Sequence, residues 1–244
     1  MTNGNRAKSG FKHSQWNIDK GLFTMGKLED IKVKLLRDKP HSFCVTEANF
    51  VKNETANDRS NTEFSTEDLL EKLFIMGYKV ILPDSWYTHS KARMFVYVSD
   101  DVKCVQQHLP NGEHHLQSIW LDISFGRSRP HTVNYFYREW TNMVTGSKLQ
   151  QLADLRLLVQ GWRRTLAGAE KDFLALGDMN LNALTWMEPM FEYPDMAQEI
   201  FNFLLGESCV QLTDQNTRIR KVNDIMQRSC LDHVYTNVPA KVSK

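Results

Sequence analysis

Two features of the sequence predict a mixed α+β protein in which two β-sheets pack face to face and helices cover their outer faces. Strand-like runs follow one another without intervening helices across residues 79–137. A doubly wound parallel sheet does not permit this, because each parallel crossover needs its own connection, usually a helix. The other strand-like runs alternate with amphipathic segments, and one of them, DFLAL at 172–176, is apolar enough to be covered on both faces. The composition agrees. Hydrophobic residues are 41%, charged residues 24%, and 30 Lys+Arg against 29 Asp+Glu leave a net charge of +1. Disordered, coiled-coil and collagen-like classes are thereby excluded. A chain of 244 residues buries a core without staples.

The elements follow in order. Residues 1–10 (MTNGNRAKSG) read as a flexible tail and 11–244 as a single domain, since no repeat, low-complexity stretch or compositional break divides them. Residues 11–18 predict a strand. Residues 24–37 place Leu28, Ile31, Leu35 and Leu36 at helical spacing. HSFCVTE at 41–47 is a strand run, and the polar stretch 52–66 reads as a long loop. Ser65 starts a second helix, with Asp68 at the capping-box position, and Gly77 stops it. Strands follow at 79–82, 93–98, 116–125 and 131–137. Residues 147–166 form a long amphipathic helix with Leu149, Leu152, Leu155, Val159 and Trp162 on one stripe. The strand at 172–176, a helix at 197–205 and a final strand at 229–235 complete the chain.

Several function classes drop out. Mean hydropathy is −0.46 and no long apolar run exists, so no membrane span is expected. The N-terminus lacks an apolar core for secretion, which predicts an intracellular location, nuclear or cytoplasmic. Cys44, Cys104, Cys209 and Cys230 form no C-x-x-C pair. They read as reduced thiols rather than as a zinc site or disulfide framework. The eight histidines show no zinc-ligand spacing.

Polar residues stand where apolar strands end. Asn17 closes the first strand, Glu47 closes SFCVTE, and Tyr137 closes TVNYF. Gly177-Asp178-Met179-Asn180 closes DFLAL, and Asp232 lies within Ser229-Cys230-Leu231-Asp232-His233. Each has an ordinary reading: a solvated carboxylate, an Asx turn, a cap or a packed tyrosine. Gathered on one edge of packed sheets, they would instead make a cleft with convergent polar groups. Such an oxygen-rich set suits Mg²⁺ or Mn²⁺, and that chemistry points to phosphate-ester hydrolysis. In an extended turn Asp178 and Asn180 would face the same way.

These residues resemble the endonuclease/exonuclease/phosphatase superfamily, which includes DNase I, AP endonucleases and the endonucleases of non-LTR retrotransposons. The resemblance is carried by Trp16-Asn17-Ile18 with Gly21-Leu22, then Glu47, Tyr137, Gly177-Asp178-Met179-Asn180, Thr217-Arg218, and Ser229-Cys230-Leu231-Asp232-His233, in the family's order over nearly the whole chain. Tyr137-Arg138-Glu139-Trp140 and the Thr-Arg to Leu-Asp-His ending are most similar to endonuclease domains of retrotransposon polyproteins.

The resemblance implies a four-layer α/β/β/α sandwich. It implies that Glu47 ligates Mg²⁺ or Mn²⁺ with Asn17 in the metal site, and that Asp178 orients or deprotonates the attacking water. Asn180 and Tyr137 would hold the scissile phosphate, and Asp232 would orient a histidine. The family places that histidine in a Ser-Asp-His motif after Leu-Asp-His. No Ser-Asp-His occurs here. The expectation is a fragment lacking the last strand, of doubtful activity. His233 is a weak substitute, because neighbours on a strand face opposite ways.

Basic residues concentrate in NTRIRKVNDIMQR at 216–228, where Arg218, Arg220, Lys221 and Arg228 oppose only Asp224. This is either a solvated loop or, with Thr217, a strip for the phosphate backbone of duplex DNA. The leading expectation is a Mg²⁺-dependent endonuclease nicking duplex DNA for a mobile element, beside a reverse transcriptase. The alternatives are an inert domain that binds nucleic acid or protein, and a superfamily phosphatase or phosphodiesterase acting on other substrates.

Overall fold

The computed structural model describes residues 11–18, 22, 26–52, 63–126, 129–139, 145–168, 171–181, 194–222 and 225–242. The proposed tail at 1–10 lies outside them. The elements are β1 (His13–Asn17), α1 (Lys27–Asp38), β2 (Ser42–Lys52), β3 (Glu63–Phe64), α2 (Thr66–Lys72), β4 (Tyr78–Ile81) and α3 (Asp84–His89). Next come β5 (Lys91–Ser99), β6 (Lys103–Gln107), β7 (Ser118–Ser124), β8 (His131–Tyr137), α4 (Thr145–Ala167) and β9 (Phe173–Asp178). The chain continues through α5 (Pro194–Gly206), β10 (Val210–Gln211), β11 (Arg218–Val222), β12 (Ile225–Ser229) and β13 (Asp232–Thr236). Among the described residues no helix is long and apolar enough to cross a membrane.

The strands form two mixed sheets and a separate hairpin. One sheet has the order β1-β2-β5-β4, with β3 also pairing β2. The other runs β10-β13-β9-β8-β7-β6, and β11 pairs with β12 alone among the described residues. β1 is parallel to β2 and β8 to β9, while the other long pairings are antiparallel.

Alternation along each strand divides the core into three layers. Phe43, Val45, Phe95 and Tyr97 face α1, α2 and α3, where Ile31, Leu35, Leu69 and Trp86 meet them. Cys44, Met94, Val96, Leu121, Val133 and Leu176 fill the space between the sheets. Phe136, Phe173, Ala175 and Tyr235 face α4 and α5 through Leu155, Val159, Trp162, Ile200 and Phe203. Helices, sheet, sheet, helices is the predicted four-layer arrangement. Burying each large apolar side chain in these layers contributes roughly 1.5–3 kcal/mol.

Several boundaries differ from expectation. Ser65 does cap α2, its Oγ accepting from the Asp68 N–H at 3.1 Å, but the helix ends at Lys72, before the turn at Gly77. β2 runs past Glu47 to Lys52, so the expected loop at 52–66 begins later; its central part, 53–62, lies outside the described residues. The expected strand at 229–235 is split, because Ser229 ends β12 and β13 begins at Asp232. Leu149 is 69% exposed, and the apolar stripe of α4 meets the sheet only from Leu152 onward. β6 and α3 carry no expectation from the sequence, whereas the basic stretch at 216–228, where the resemblance implies a hairpin loop, folds as the β11–β12 hairpin.

Candidate active site

The polar strand ends gather at one end of the space between the sheets. In the second sheet Tyr137 pairs with Asp178 across the parallel β8–β9 ladder, and Asp178 pairs with Asp232 across the antiparallel β9–β13 ladder. Paired residues share a face, so phenol and two carboxylates stand in a row. The first sheet brings Gln15 and Asn17, two apart on β1 and therefore on one side. Gln15 Nε2 donates to Asp232 Oδ1 at 2.9 Å. Asn17 Nδ2 donates to both Glu47 Oε1 and Asp178 Oδ2, each at 2.9 Å.

Glu47 reaches this cluster through an irregularity. Its neighbour Thr46 faces inward, so regular alternation would turn Glu47 toward the helices. Instead Glu47 has φ +63° and Asn49 φ +55°, and the β2–β5 register shifts between Thr46 and Phe50. This bulge re-aims the carboxylate toward Asn17. A left-handed non-glycine residue costs on the order of 1–2 kcal/mol, and such strain gathers at functional positions.

The turn after β9 is fixed just as closely. Gly177 lies opposite Phe136, where a Cβ would overlap the Phe136 carbonyl oxygen and ring, so only glycine fits. The Asn180 N–H donates to Asp178 Oδ1 at 2.9 Å in an Asx turn, with Asn180 at φ +51°. The expected shared facing of Asp178 and Asn180 therefore does not hold, because the strand ends at Asp178 and Asn180 is left-handed. The Asn180 side-chain amide donates to the Arg138 carbonyl at 2.8 Å.

Arg138, quoted in the sequence only as part of a motif, organises this turn. It is 6% exposed. Its guanidinium donates to the Met179 carbonyl at 2.5 Å, the Asn180 carbonyl at 2.9 Å and Gln151 Oε1 at 2.9 Å, and its N–H donates to the Asp178 carbonyl at 2.9 Å. An arginine directly after an apolar strand, beside a Gly-Asp turn, was the available signal. Gln15 was missed because nothing in a single strand marks which amide meets a distant carboxylate.

Thr217 and Arg218 sit at the root of the hairpin. Thr217 Oγ1 accepts from the N–H groups of Leu231 at 3.0 Å and Asp232 at 3.1 Å, which ties the hairpin to β13. Arg218 is exposed, and its positive charge acts on Asp232. Arg220 and Lys221 lie further along β11, and their side chains are outside the described residues. His233 faces away from the cluster and is fully buried, bonded to Tyr235 Oη and to the Leu181 carbonyl at 2.8 Å.

The electrostatics are those of crowded anions. Burial, then Asp232, push the Asp178 carboxyl up to about 7, and the bonds from Asn180 and Asn17 only partly oppose them. Asp232 is raised by burial against the bonds from Thr217 and Gln15. Burial, Glu47 and Asp178 also raise Tyr137, which keeps its phenol protonated. A cavity of about 80 Å³ opens beside Tyr137, lined by Gln117, Glu139, Gln151 and Asp154 among others.

Glu47 and Asp178, separated by one amide, form an oxygen donor set suited to a hard divalent cation, which takes one or two carboxylates and keeps several waters. Among the described residues no group of three or more His, Cys, Asp or Glu is arranged to hold a metal ion.

Two packed mixed sheets flanked by helices make the DNase I-like architecture. No family model matches the sequence, and no curated protein matches it. Solved structures do match. The endonuclease domain of TRAS1, a telomere-specific non-LTR retrotransposon, superposes with a TM-score of 0.58 at 12% identity, over 93% of this chain and 84% of that one. The AP endonuclease LMAP from Leishmania major gives 0.60 at 12% identity, over 93% and 78%. An endonuclease/exonuclease/phosphatase family protein from Leptotrichia buccalis gives 0.54 at 11% identity, over 93% and 88%. The fold is that of the endonuclease/exonuclease/phosphatase superfamily.

Proposed function

We propose that this chain is a phosphodiesterase whose substrate is duplex DNA, nicked for a mobile element. The observation that carries the reading is the Asn17 amide shared between Glu47 and Asp178, with Tyr137 and Asp232 aligned beside it. A buried carboxylate such as Asp178, brought this close to the part-buried Glu47 and Asp232, is costly unless it serves a cation or a proton transfer.

Glu47, with Asn17 beside it, is the residue that would hold Mg²⁺ or Mn²⁺. When bound, the ion supplies charge neutralisation at the phosphate. Asp178, poised at about 7, orients a water and accepts its proton near neutral pH. Tyr137 stays protonated and donates to a phosphoryl oxygen, while the Asn180 amide, engaged by the Arg138 carbonyl, holds the turn that presents Asp178. Gln15 and Thr217 hold Asp232 in place. The basic hairpin residues Arg218, Arg220 and Lys221 engage the DNA backbone.

A second reading is an inert domain that binds phosphodiesters. It is favoured by His233, which turns away from the carboxylates and leaves the implied imidazole role unfilled among the described residues. Plasmid nicking in Mg²⁺, against a chelator control, separates the two. Nicking that needs the ion supports the enzyme. Duplex binding with no nicking in any divalent cation supports the binding domain.

A further inference from the structure

The roles above leave one ion pair at the mouth of the site without a task. Arg93 on β5 of the first sheet pairs with Glu139, two residues past Tyr137 in the second sheet. Their side chains are 29% and 43% exposed. The Arg93 main chain is fixed, since its N–H donates to Gln117 Oε1 at 2.7 Å while Gln117 Nε2 donates to Ser85 Oγ at 2.9 Å. Its guanidinium is only part-buried. That positive charge reaches the Tyr137 hydroxyl, where it opposes Glu47, Asp178 and Glu139.

The other arginines nearby are placed differently. Arg138 is buried and committed to the Met179 and Asn180 carbonyls and to Gln151. Arg218 acts on Asp232 from the hairpin side. Arg93 is thus a part-exposed guanidinium on the Tyr137 side of the carboxylate row. An exposed ion pair contributes only about 0–1 kcal/mol, so exchanging Glu139 for another oxyanion costs little. The guanidinium fork matches two oxygens of a phosphate as well as two of a carboxylate.

We infer that Arg93 is a catalytic residue that grips the non-bridging oxygens of the scissile phosphodiester, and that Glu139 holds its guanidinium in place until the substrate displaces it. The inference rests on the phosphodiesterase reading and adds a residue that the resemblance does not supply. It gives the two members of one ion pair opposite effects on binding. Arg93 attracts the substrate, and Glu139 competes with it through Arg93 alone.

A double-mutant cycle tests this, with the affinity for a short DNA duplex measured by fluorescence anisotropy in chelator, so that turnover does not intervene. Arg93→Ala should weaken binding by about 10- to 100-fold. Arg93→Lys, which keeps the charge but loses the fork, should fall between it and the wild type. Glu139→Gln should tighten binding by up to about fivefold. The decisive result is Glu139→Gln in the Arg93→Ala background, which should change nothing. If it tightens binding there as much as in the wild type, Glu139 merely repels DNA and the inference is overturned. It is also overturned if Arg93→Ala binds like the wild type. Melting curves check that each variant is folded, and Arg93→Lys serves if Arg93→Ala is not. Nicking is measured in parallel with Asp178→Ala. Wild-type nicking by that variant would bring down the catalytic reading and this role with it, whereas failure of the binding cycle alone removes only Arg93.

Discussion

β1 turns His13, Gln15 and Asn17 into the space between the sheets, and the two ends of the strand treat their polar groups in opposite ways. At one end His13 Nδ1 meets Ser42 Oγ at 2.7 Å, Ser42 meets Tyr135 Oη, and His13 Nε2 meets His131 Nε2 at 3.0 Å. His131 also hydrogen-bonds the Ile123 backbone. Neutral imidazoles and hydroxyls then give each acceptor one donor, and the network closes. At the other end one amide serves two carboxylates, with a third alongside. Both ends are polar and largely buried, so burial of polar groups does not by itself mark function. The mark is imbalance, an excess of acceptors that only a cation, a proton or a donor-bearing substrate relieves.

The largest expected difference between the ends is in activity. Asp178→Ala should lower nicking by about 10²–10⁴-fold. His13→Gln should change it by less than about threefold while lowering the melting temperature. Equal losses in steady-state nicking would erase the distinction.

Stability against pH should separate them by sign. Asp178 is raised from 3.8 to about 7 on folding, so the native state holds a proton that the unfolded chain releases, and stability falls as pH rises between those values. His13 is lowered from 6.5 to about 3 by burial, so the unfolded chain gains a proton first, and stability falls as pH drops through that window. The two slopes oppose each other between about pH 4 and 6.5. In urea titrations with chelator, Asp178→Asn should steepen acid lability, and His13→Gln should reveal a loss of stability toward neutral pH. Identical pH profiles for both variants would refute the assignment.

A divalent cation should act on one end only. Mg²⁺ or Mn²⁺ at about 100 times its dissociation constant should stabilise the wild type by roughly 2.7 kcal/mol, and Glu47→Gln should weaken that shift. An unchanged response by differential scanning fluorimetry would remove Glu47 from the metal site. The smallest effect belongs to the hairpin. Replacing Arg218, Arg220 and Lys221 with Ala should flatten the salt dependence of duplex binding by roughly 0.9 per lost phosphate contact. An unaltered slope would mean that the hairpin is only solvated.

The parts of this molecule that obey simple periodicity were legible. Strand-like apolar runs gave most of the long strands of both sheets, and the polar residues terminating them gave Asn17, Glu47, Tyr137, Asp178 and Asp232, which the structure brings together. What escaped was set by non-local or irregular geometry. Nothing in FCVTEAN announces the left-handed turn at Glu47, which exists because an inward carboxylate is needed where alternation forbids it. Polarity hid the strands of the β11–β12 hairpin, so only the resemblance implied a hairpin there, although the Asn223-Asp224 pair between RIRKV and IMQRS was a two-residue turn signal. Thr217 looked like a DNA contact, whereas its hydroxyl is occupied by the main chain before and at Asp232.

The bonds that assemble the carboxylate row join residues far apart in the chain, Asn17 to Asp178 across 161 positions and Gln15 to Asp232 across 217. Helices form in microseconds or less, but loops of that length close late and at an entropic cost. During synthesis β1 meets β2 and Glu47 early, but Asp178 and Asp232 reach Asn17 and Gln15 only once β9 and then β13 have emerged. The carboxylate row is therefore the last part of this chain to assemble, and a partly made or partly folded copy lacks it.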